Sequence, residues 1–214
     1  RLVFEKKGGM YGILLAVSIL SNYYISIMIC IFLVLYFVVM QIEQKKLDVK
    51  SCARFFFYSL LAGGMGAVLL IPEAIALGYS GSGGFHFPED FSWYFSAFDE
   101  LARHCMGVTV YTGSDHWPNL YCGVAVLLLL VLYLLNREIP LKKKLIRMLA
   151  LIFFLLAFAN NWLDFIWHGM HFPDSLPGRQ SFLYMFVLLT MAFEELRRLK
   201  GNRIWHVVVA AVAC

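Results

Sequence analysis

Long apolar runs constrain this chain more than any other feature of its sequence. They cover residues 10–40, 55–71, 121–135, 148–166 and 182–193. A soluble helix is apolar on one face only, whereas residues 121–135 and 148–158 are apolar all round. Hydrophobic residues make up 61% of the chain and charged residues 15%, whereas soluble domains are about half apolar. The sequence therefore predicts an all-α integral membrane protein.

The basic residues predict how the helices cross the membrane, because Lys and Arg concentrate in cytoplasmic loops. The alternation of apolar runs and connectors places 16 of the 18 Lys and Arg residues on one side and only Arg103 and Arg179 on the other. We take the basic side as the inner side. Its clusters are read as solvated loops that face lipid head groups, so no nucleic-acid partner is predicted.

The predicted fold is a polytopic transmembrane helical bundle. Its elements are, in order, a short helix pair at 10–40, a span at 55–72, an outer loop at 73–120 with a helix at 91–106, spans at 121–136 and 148–167, an outer turn at 168–181, a span at 182–193 and a truncated span at 204–214. We place the apex of the helix pair near Asn22; a single steep helix is the alternative. Gly63, Gly64 and Gly66 allow another helix to approach closely, and Pro72 is expected to end its span.

The helix at 91–106 is predicted to lie in the outer membrane interface. Its apolar side chains recur at helical spacing opposite a polar face. The apolar members are Phe91, Tyr94, Phe95, Phe98, Leu101, Ala102 and Cys105, and the polar members are Ser92, Ser96, Asp99, Glu100, Arg103 and His104. A helix packed on the protein's own outer loops is the alternative.

Both ends of the sequence suggest an internal part of a longer protein. The chain opens on Arg1 without a signal peptide, and it stops at Cys214 inside an apolar run shorter than the roughly 20 residues that a span needs. We therefore expect part of any active site to lie outside these residues.

The outer turn at 168–181 concentrates the unusual chemistry of the chain. If the preceding helix continues through this turn, Asn160, Asp164, His168 and His171 share one face. A carboxylate such as Asp164 is costly in lipid, so we expect it to face protein, water or a partner. The group can orient a general base or bind a divalent cation; no other cofactor is indicated. The alternative is a hydrogen-bonded pair that anchors the helix end beside Trp167.

Arg179 is the second candidate in the outer turn. It follows Gly178 and precedes the helix that is predicted to open at residues 180–182. A guanidinium beside a helix N-terminus suits a phosphate or diphosphate, because its donors and the unpaired amides converge on one anion. The alternative is an interface anchor that covers the helix end.

Two segments of the chain resemble the bacterial YfhO family of membrane proteins. Residues 163–184, which read LDFIWHGMHFPDSLPGRQSFLY, are similar to one pattern of that family, and residues 21–24, which read SNYY, are similar to a second. A weaker likeness lies at residues 69–72. The positions that match are Asn22, Trp167, His168, Pro173, Arg179 and Phe182, whereas Gly178 stands where an aromatic residue is common.

The resemblance implies a C-type glycosyltransferase-like fold with a site at its outer face. It implies transfer of a sugar from a polyprenyl-phosphate carrier to a cell-envelope polymer such as teichoic or lipoteichoic acid, in the bacterial cell membrane. The catalytic carboxylate of such folds is expected before this part of the chain. The candidate substrate-binding residues here are Arg179, His168, His171, Asp164, Trp167 and Asn22.

Two other functions remain open from the sequence. A transporter or flippase of lipid-linked sugars normally carries ionisable groups along its route, and apart from Asp164 near one end the runs hold almost none. A scaffold subunit without chemistry is the other, with the glycines at 63–66 as its docking surface. The sequence does not specify the sugar, the acceptor or the oligomeric state.

Overall fold

The computed structural model describes residues 2, 5, 7–43, 48–79, 87–110, 117–170 and 178–214. Helices hold 74% of these residues and none of them forms a strand, which confirms the predicted all-α class. The helices are α1 (Gly9–Ser21), α2 (Tyr23–Glu43), α3 (Val49–Tyr79), α4 (Ala97–Ala102), α5 (Val124–Leu135), α6 (Leu141–Ala159), α7 (Asn161–Trp167), α8 (Ser181–Leu196) and α9 (Ile204–Ala213), with a 3-10 turn at Leu199–Gly201.

Two of these helices are long and apolar enough to cross a membrane. They are α2, with 21 residues, and α3, with 31 residues. Helices α1, α5 and α9 are apolar but shorter. By its contacts the chain divides into two compact units: Arg1–Phe87 with Ile166–His171 forms the first unit, and Pro88–Phe165 with Phe172–Cys214 forms the second.

In the first unit, α1 and α2 pack side by side around a break at Asn22. The backbone of Asn22 is extended, with φ −162° and ψ 102°, so the helix cannot continue through it. The hydroxyl groups of Ser18 and Ser26 lie 2.9 Å apart across the pair. Leu15 on α1 belongs to a buried cluster that also contains Ala62 of α3, so α1 packs against both neighbours.

Helix α3 corrects the predicted span at 55–72. It begins at Val49 and continues through Pro72 to Tyr79. Proline removes one backbone donor, but a neighbourhood rich in Ala, Leu and Ile retains strong helix propensity and holds the helix together. Pro72 is exposed, so its ring meets no packing neighbour that would force a stop. The helix therefore does not end at Pro72, and the outer membrane boundary near that residue stays a prediction.

Only one of the three predicted small-residue contacts is made by the described residues. A Cβ atom added to Gly66 would lie 2.5 Å from Cγ2 of Ile19 in α1, whereas one added to Gly63 or Gly64 would meet nothing within 4 Å. Gly66 therefore sets the approach of α1 to α3. Gly63 and Gly64 lie on open sides of the helix.

Gly66→Ala should destabilise the protein, because Ile19 is β-branched and cannot swing its Cγ2 away without disturbing the packing of α1. Overpacking of this kind costs about 1–3 kcal/mol. The measurement is thermal unfolding of the purified full-length protein in detergent. Gly64→Ala is the matched control and should cause no loss, since its new methyl group meets open space. Equal stability of the two variants would contradict the proposed contact.

In the second unit, a buried carboxylate ties α5, α8 and α9 together. Glu195 near the end of α8 is fully buried. Its Oε2 accepts a hydrogen bond of 2.9 Å from Nδ2 of Asn136, which caps α5, and its Oε1 accepts one from Nδ2 of Asn202. Asn202 also lies 3.0 Å from Nδ1 of His206 in α9. The carboxylate is therefore satisfied by groups from the ends of the neighbouring helices.

Glu195→Ala should lower stability strongly, by about 2–4 kcal/mol, because Asn136 and Asn202 would lose a buried acceptor. The neighbouring Glu194 is the matched control. It pairs at 2.7 Å with Lys143 and at 3.6 Å with Arg198, both of which are partly exposed. Glu194→Ala should cost at most about 1 kcal/mol. The measurement is the free energy of unfolding in detergent. A larger loss for Glu194→Ala than for Glu195→Ala would refute the structural role assigned to the Glu195 carboxylate.

Other boundaries in the second unit also differ from the prediction. Helix α5 starts only at Val124, after Gly123 with φ 109°. Helix α6 starts at Leu141, so the basic residues at 142–147 lie within a helix and not in a loop. The predicted span at 148–167 is interrupted: α6 ends at Ala159 and α7 begins at Asn161.

The predicted interfacial helix at 91–106 is reduced to α4. Ser96 forms a capping box, in which its Oγ accepts from the amide of Asp99 and its own amide donates to Oδ2 of Asp99. The box starts the helix at Ala97. Within α4 and just after it, Glu100 and His104 are only 4% and 8% exposed and pack on the protein, whereas Phe98 is 83% exposed. The interfacial position of the helix stays a prediction.

Candidate functional site

The break between α6 and α7 binds the outer segment that precedes α4. Asn160 has an extended backbone, and its Oδ1 accepts hydrogen bonds from the amides of Trp162 and Leu163, which caps α7. Next to it, Asn161 donates from Nδ2 to the carbonyl of Asp90 at 2.7 Å and accepts from the amide of Ser92 at 2.9 Å. The two asparagines therefore pair the polar groups of a helix break with those of a loop.

This break places Asp164 in the first turn of α7. Its amide donates to the carbonyl of Asn160 at 2.9 Å, and the residue is 1% exposed. A carboxylate is favoured at this end of a helix by the helix dipole. The Asp164 carboxylate also acts on nearby Tyr94: burial raises the pKa of the Tyr94 hydroxyl, and the negative charge of Asp164 raises this pKa further. Asp164 therefore faces the protein interior.

Trp167 and His168 belong to the first unit and are each 1% exposed. The ring of His168 lies 6.3 Å from the ring of Tyr24, centroid to centroid. Helix α7 ends at Trp167 and the chain turns through Gly169 at φ 73°. The predicted helix from Asn160 through His171 was therefore wrong, because the helix breaks at one end of that stretch and stops at Trp167. His171 lies outside the described residues.

Asn22 has a local role in the first unit. Its Oδ1 accepts a hydrogen bond of 3.0 Å from the amide of Ile25, which caps the start of α2, and its side chain is exposed. Helix capping is therefore a sufficient reason for an asparagine at this position, and no ligand is needed to explain it. Of the candidate residues, Asn22, Trp167 and His168 fall in the first unit, and Asp164 and Arg179 fall in the second.

Arg179 immediately precedes Gln180, the N-cap of α8, and is partly exposed. The turn before it requires glycine: Gly178 has φ 66°, and an added Cβ would lie 3.1 Å from Cβ of Pro118. The amides of Ser181 and Leu183 each donate to local carbonyls at 2.9 Å. Two amides at this helix start are therefore bonded within the protein, and the anion site at Arg179 stays a prediction.

Arg103 lies against the same proline. Its Nε donates to the carbonyl of Pro118 at 2.9 Å, and its Nη2 donates to Oδ1 of Asn119 at 2.8 Å. Gly178, the residue before Arg179, lies close to Pro118, so the same short segment contacts Arg103 and the turn that precedes Arg179. Arg103 is held by neutral oxygens, which leave its charge uncompensated by these two contacts.

A polar cluster that the sequence analysis missed lies in the second unit. It consists of Glu100, His104, Gln180 and Tyr184. Nδ1 of His104 lies 3.2 Å from the carbonyl of Glu100, and its Nε2 lies 2.8 Å from the hydroxyl of Tyr184. Because a carbonyl can only accept, Nδ1 carries the proton of the neutral ring and the tyrosine hydroxyl donates to Nε2.

Two members of the polar cluster carry polar atoms that other described residues leave unbonded. Glu100 is 4% exposed, and its Oε1 has no hydrogen-bond partner within the described part of the chain. Gln180 is fully buried, and the same holds for its Oε1 and its Nε2. Burial raises the pKa of Glu100 to about 8 and lowers the pKa of His104. The cluster is therefore largely uncharged at neutral pH.

The sequence held one signal for this cluster. Glu100 and His104 are one helical turn apart, as are Gln180 and Tyr184. The amphipathic pattern placed Glu100 and His104 on the polar face of the predicted helix, opposite Phe98, and did not show that they are buried. In a membrane protein lipid can cover the apolar face, so the pattern alone does not show which face packs on the protein.

No group of three or more His, Cys, Asp or Glu side chains suited to a metal ion occurs within the ranges that the structure describes. The candidate cation ligands were Asp164, His168 and His171. His171 lies outside those ranges, so the predicted divalent-cation site stays a prediction.

The comparison with known families identifies the chain. The family model of the bacterial membrane protein YfhO matches residues 1–214, the whole chain. The protein belongs to the YfhO family. No curated protein and no solved structure matches it. Family membership and the two apolar helices identify this YfhO family protein as a membrane protein.

The raised pKa of Glu100 makes a prediction about pH. Unfolding at neutral pH releases a proton from this carboxyl group, so the stability of the YfhO protein should fall as pH rises from about 4.5 towards about 8. Glu100→Gln removes this titration but leaves His104 and Tyr184 in place. The Tm of the wild type, relative to that of the variant, should therefore decline across this range. Glu89→Gln, an exposed change in the outer segment, should keep the wild-type profile; identical profiles for all three proteins would contradict the prediction.

Proposed function

We propose that this YfhO family protein is a multi-pass protein of the bacterial cell membrane whose full-length form transfers a sugar from a polyprenyl-phosphate carrier to a cell-envelope polymer such as teichoic or lipoteichoic acid. The membrane is its first partner, the lipid-linked sugar its donor and the polymer its acceptor. Arg179 at the outer face contacts the carrier phosphate. The resemblance to C-type glycosyltransferases supports the reaction type.

The charges at the two ends of α8 support this orientation. The C-terminal end carries Arg197 and Arg198, and Lys143 from α6 reaches Glu194 there at 2.7 Å. Arg179 precedes the opposite end. A helix of 16 residues is about 24 Å long, which is shorter than the roughly 30 Å hydrocarbon core. The basic residues at the C-terminal end of α8 favour the cytoplasm for that end, which would put Arg179 towards the outer side.

The position of Arg179 carries the proposal. The N-terminus of a helix has partial positive charge, so a cation there opposes the dipole and adds nothing to the stability of the helix. An anion beside both would be attracted by the guanidinium and by the helix. A phosphate at the membrane surface has that charge and, attached to a polyprenyl chain, that location.

Arg179→Ala in the full-length protein should reduce cell-envelope glycosylation about 10- to 100-fold, the effect of losing a charge-assisted hydrogen bond worth roughly 1.5–3 kcal/mol. Arg179→Lys should retain part of the activity, because it keeps the charge but loses the fork. The measurement is the sugar content of the purified polymer by mass spectrometry, with the protein level checked by immunoblot. Arg197→Ala, an exposed change at the other end of α8, is the control.

Full glycosylation by Arg179→Ala at normal protein level would refute the role of Arg179. Accumulation of the lipid-linked sugar in proteoliposomes without any transfer would indicate a flippase. Loss of a partner from the purified complex, with transfer carried by that partner, would indicate a scaffold.

A further inference from the structure

The two side chains with unbonded polar atoms flank the hydrogen bond between His104 and Tyr184. Gln180 lies one turn before Tyr184 in the sequence, and Glu100 lies one turn before His104. When ionised, the Glu100 carboxyl also interacts electrostatically with Tyr184. Glu100 and Gln180 are therefore each one helical turn from a partner in this hydrogen bond.

Buried polar atoms without partners are rare in proteins, because each costs about 1–3 kcal/mol. Here Glu100 contributes one such atom and Gln180 two, counted over the described residues. An apolar residue of the same size at either position would avoid that cost. The contacts of the described residues therefore do not explain why these two positions are polar, whereas a bound polar ligand would explain it.

The chemistry of the cluster selects the kind of ligand. Its amide and carboxyl groups offer both donors and acceptors, and its carboxyl is largely protonated at neutral pH because burial raises the pKa of Glu100 to about 8. An uncharged group rich in hydroxyls satisfies such atoms, whereas a metal ion requires ionised ligands. Arg179, the residue next to Gln180, provides an anion contact beside the cluster.

The surroundings suggest how the ligand is attached to the membrane. Phe98 and Leu101 in α4 are 83% and 57% exposed, on the side of α4 that Glu100 and His104 leave open. Large exposed apolar side chains are costly in water and favourable in lipid. The cluster therefore lies behind a short helix whose outer side suits an acyl or prenyl chain.

We infer that Glu100 and Gln180 form a subsite that binds the hydroxyl groups of the sugar on a lipid-linked sugar phosphate, beside the phosphate contact of Arg179. This inference rests on the proposed function for the identity of the donor. Tyr184 and His104 are positioning residues, since their mutual hydrogen bond fixes the wall against which the sugar lies.

The test is binding of two probes to the purified full-length protein in detergent, measured by calorimetry. One probe is a short-chain polyprenyl phosphate that carries glucose or N-acetylglucosamine, and the other is the same polyprenyl phosphate without sugar. The wild type should bind the sugar-bearing probe more tightly. In Glu100→Met and Gln180→Met this sugar-dependent gain should fall about tenfold or more, while affinity for the bare phosphate stays unchanged. Arg179→Ala should weaken binding of both probes.

Stability without lipid supplies a second readout. The two Met variants should unfold at the wild-type temperature or above it, because replacing an unbonded buried polar group with an apolar one of similar size removes a penalty. Glu100→Gln keeps polar atoms and should restore most of the sugar-dependent gain. Gln41→Met, at another buried glutamine in α2 of the first unit, is the matched control and should leave both affinities unchanged.

Several outcomes would overturn the inference. The first is a wild type whose affinity shows no sugar-dependent gain for either sugar, and the second is Met variants that keep the full gain. The third is Met variants that fail to fold, because the polar groups of Glu100 and Gln180 would then be needed for folding. Transfer assays on the same samples separate this inference from the proposed function. If the wild type transfers sugar but the Met variants keep the full sugar-dependent gain in affinity, the proposed function stands and the subsite is refuted. If the Met variants lose this gain but the wild type transfers no sugar, the subsite stands and the proposed function is refuted.

Discussion

Lipid cannot form hydrogen bonds with a polypeptide backbone, and the break between α6 and α7 shows how this chain meets that constraint. A break in an apolar helix frees amides and carbonyls that must find partners within the protein. Asn160 and Asn161 supply them by capping α7 and by pairing with the segment that contains Ser92. That pairing fixes the outer segment, and α4 follows it directly. The position of Glu100 therefore depends on a helix break that lies some 60 residues further along the chain.

The same constraint explains why the polar contacts of the second unit collect at helix ends. At one end of α8, Glu195 binds Asn136, which caps α5, and Asn202, which precedes the N-cap of α9; Gln180 lies at the other end. Between them α8 buries apolar side chains such as Leu188 and Met191. The apolar middle of α8 therefore separates the polar region around Glu195 from the polar region around Gln180. The buried carboxylate at one end is fully bonded by protein, whereas the glutamine at the other is not, so the first end is structural and the second is suited to a ligand.

The sequence predicted the composition-driven part of this structure and missed the part that depends on tertiary contacts. The all-α class follows from apolar runs, because a backbone in lipid must satisfy its own hydrogen bonds. The continuation of α3 through Pro72 was missed because proline weakens a helix without always ending it. The burial of Glu100 and His104 was missed because an amphipathic pattern separates polar from apolar residues without showing which face packs on the protein. Arg179 was proposed from its position before a helix, and that helix is present. Gln180, next to it, was not proposed, because a glutamine in a turn is ordinary until its burial is known.

A guanidinium beside an uncharged polar cluster can distinguish a lipid phosphate from a lipid-linked sugar phosphate. The guanidinium attracts both, because each carries an anion. If Glu100 and Gln180 bind the sugar as inferred, only the sugar-bearing lipid satisfies their unbonded atoms, and the cost of their burial becomes a free-energy difference between the two lipids. A site that leaves buried polar groups unpaired with the wrong ligand rejects it more strongly than an apolar pocket rejects a ligand of the wrong size. In a membrane that contains many other anionic lipids, the uncharged cluster and not the charge of Arg179 would therefore determine which lipid is bound.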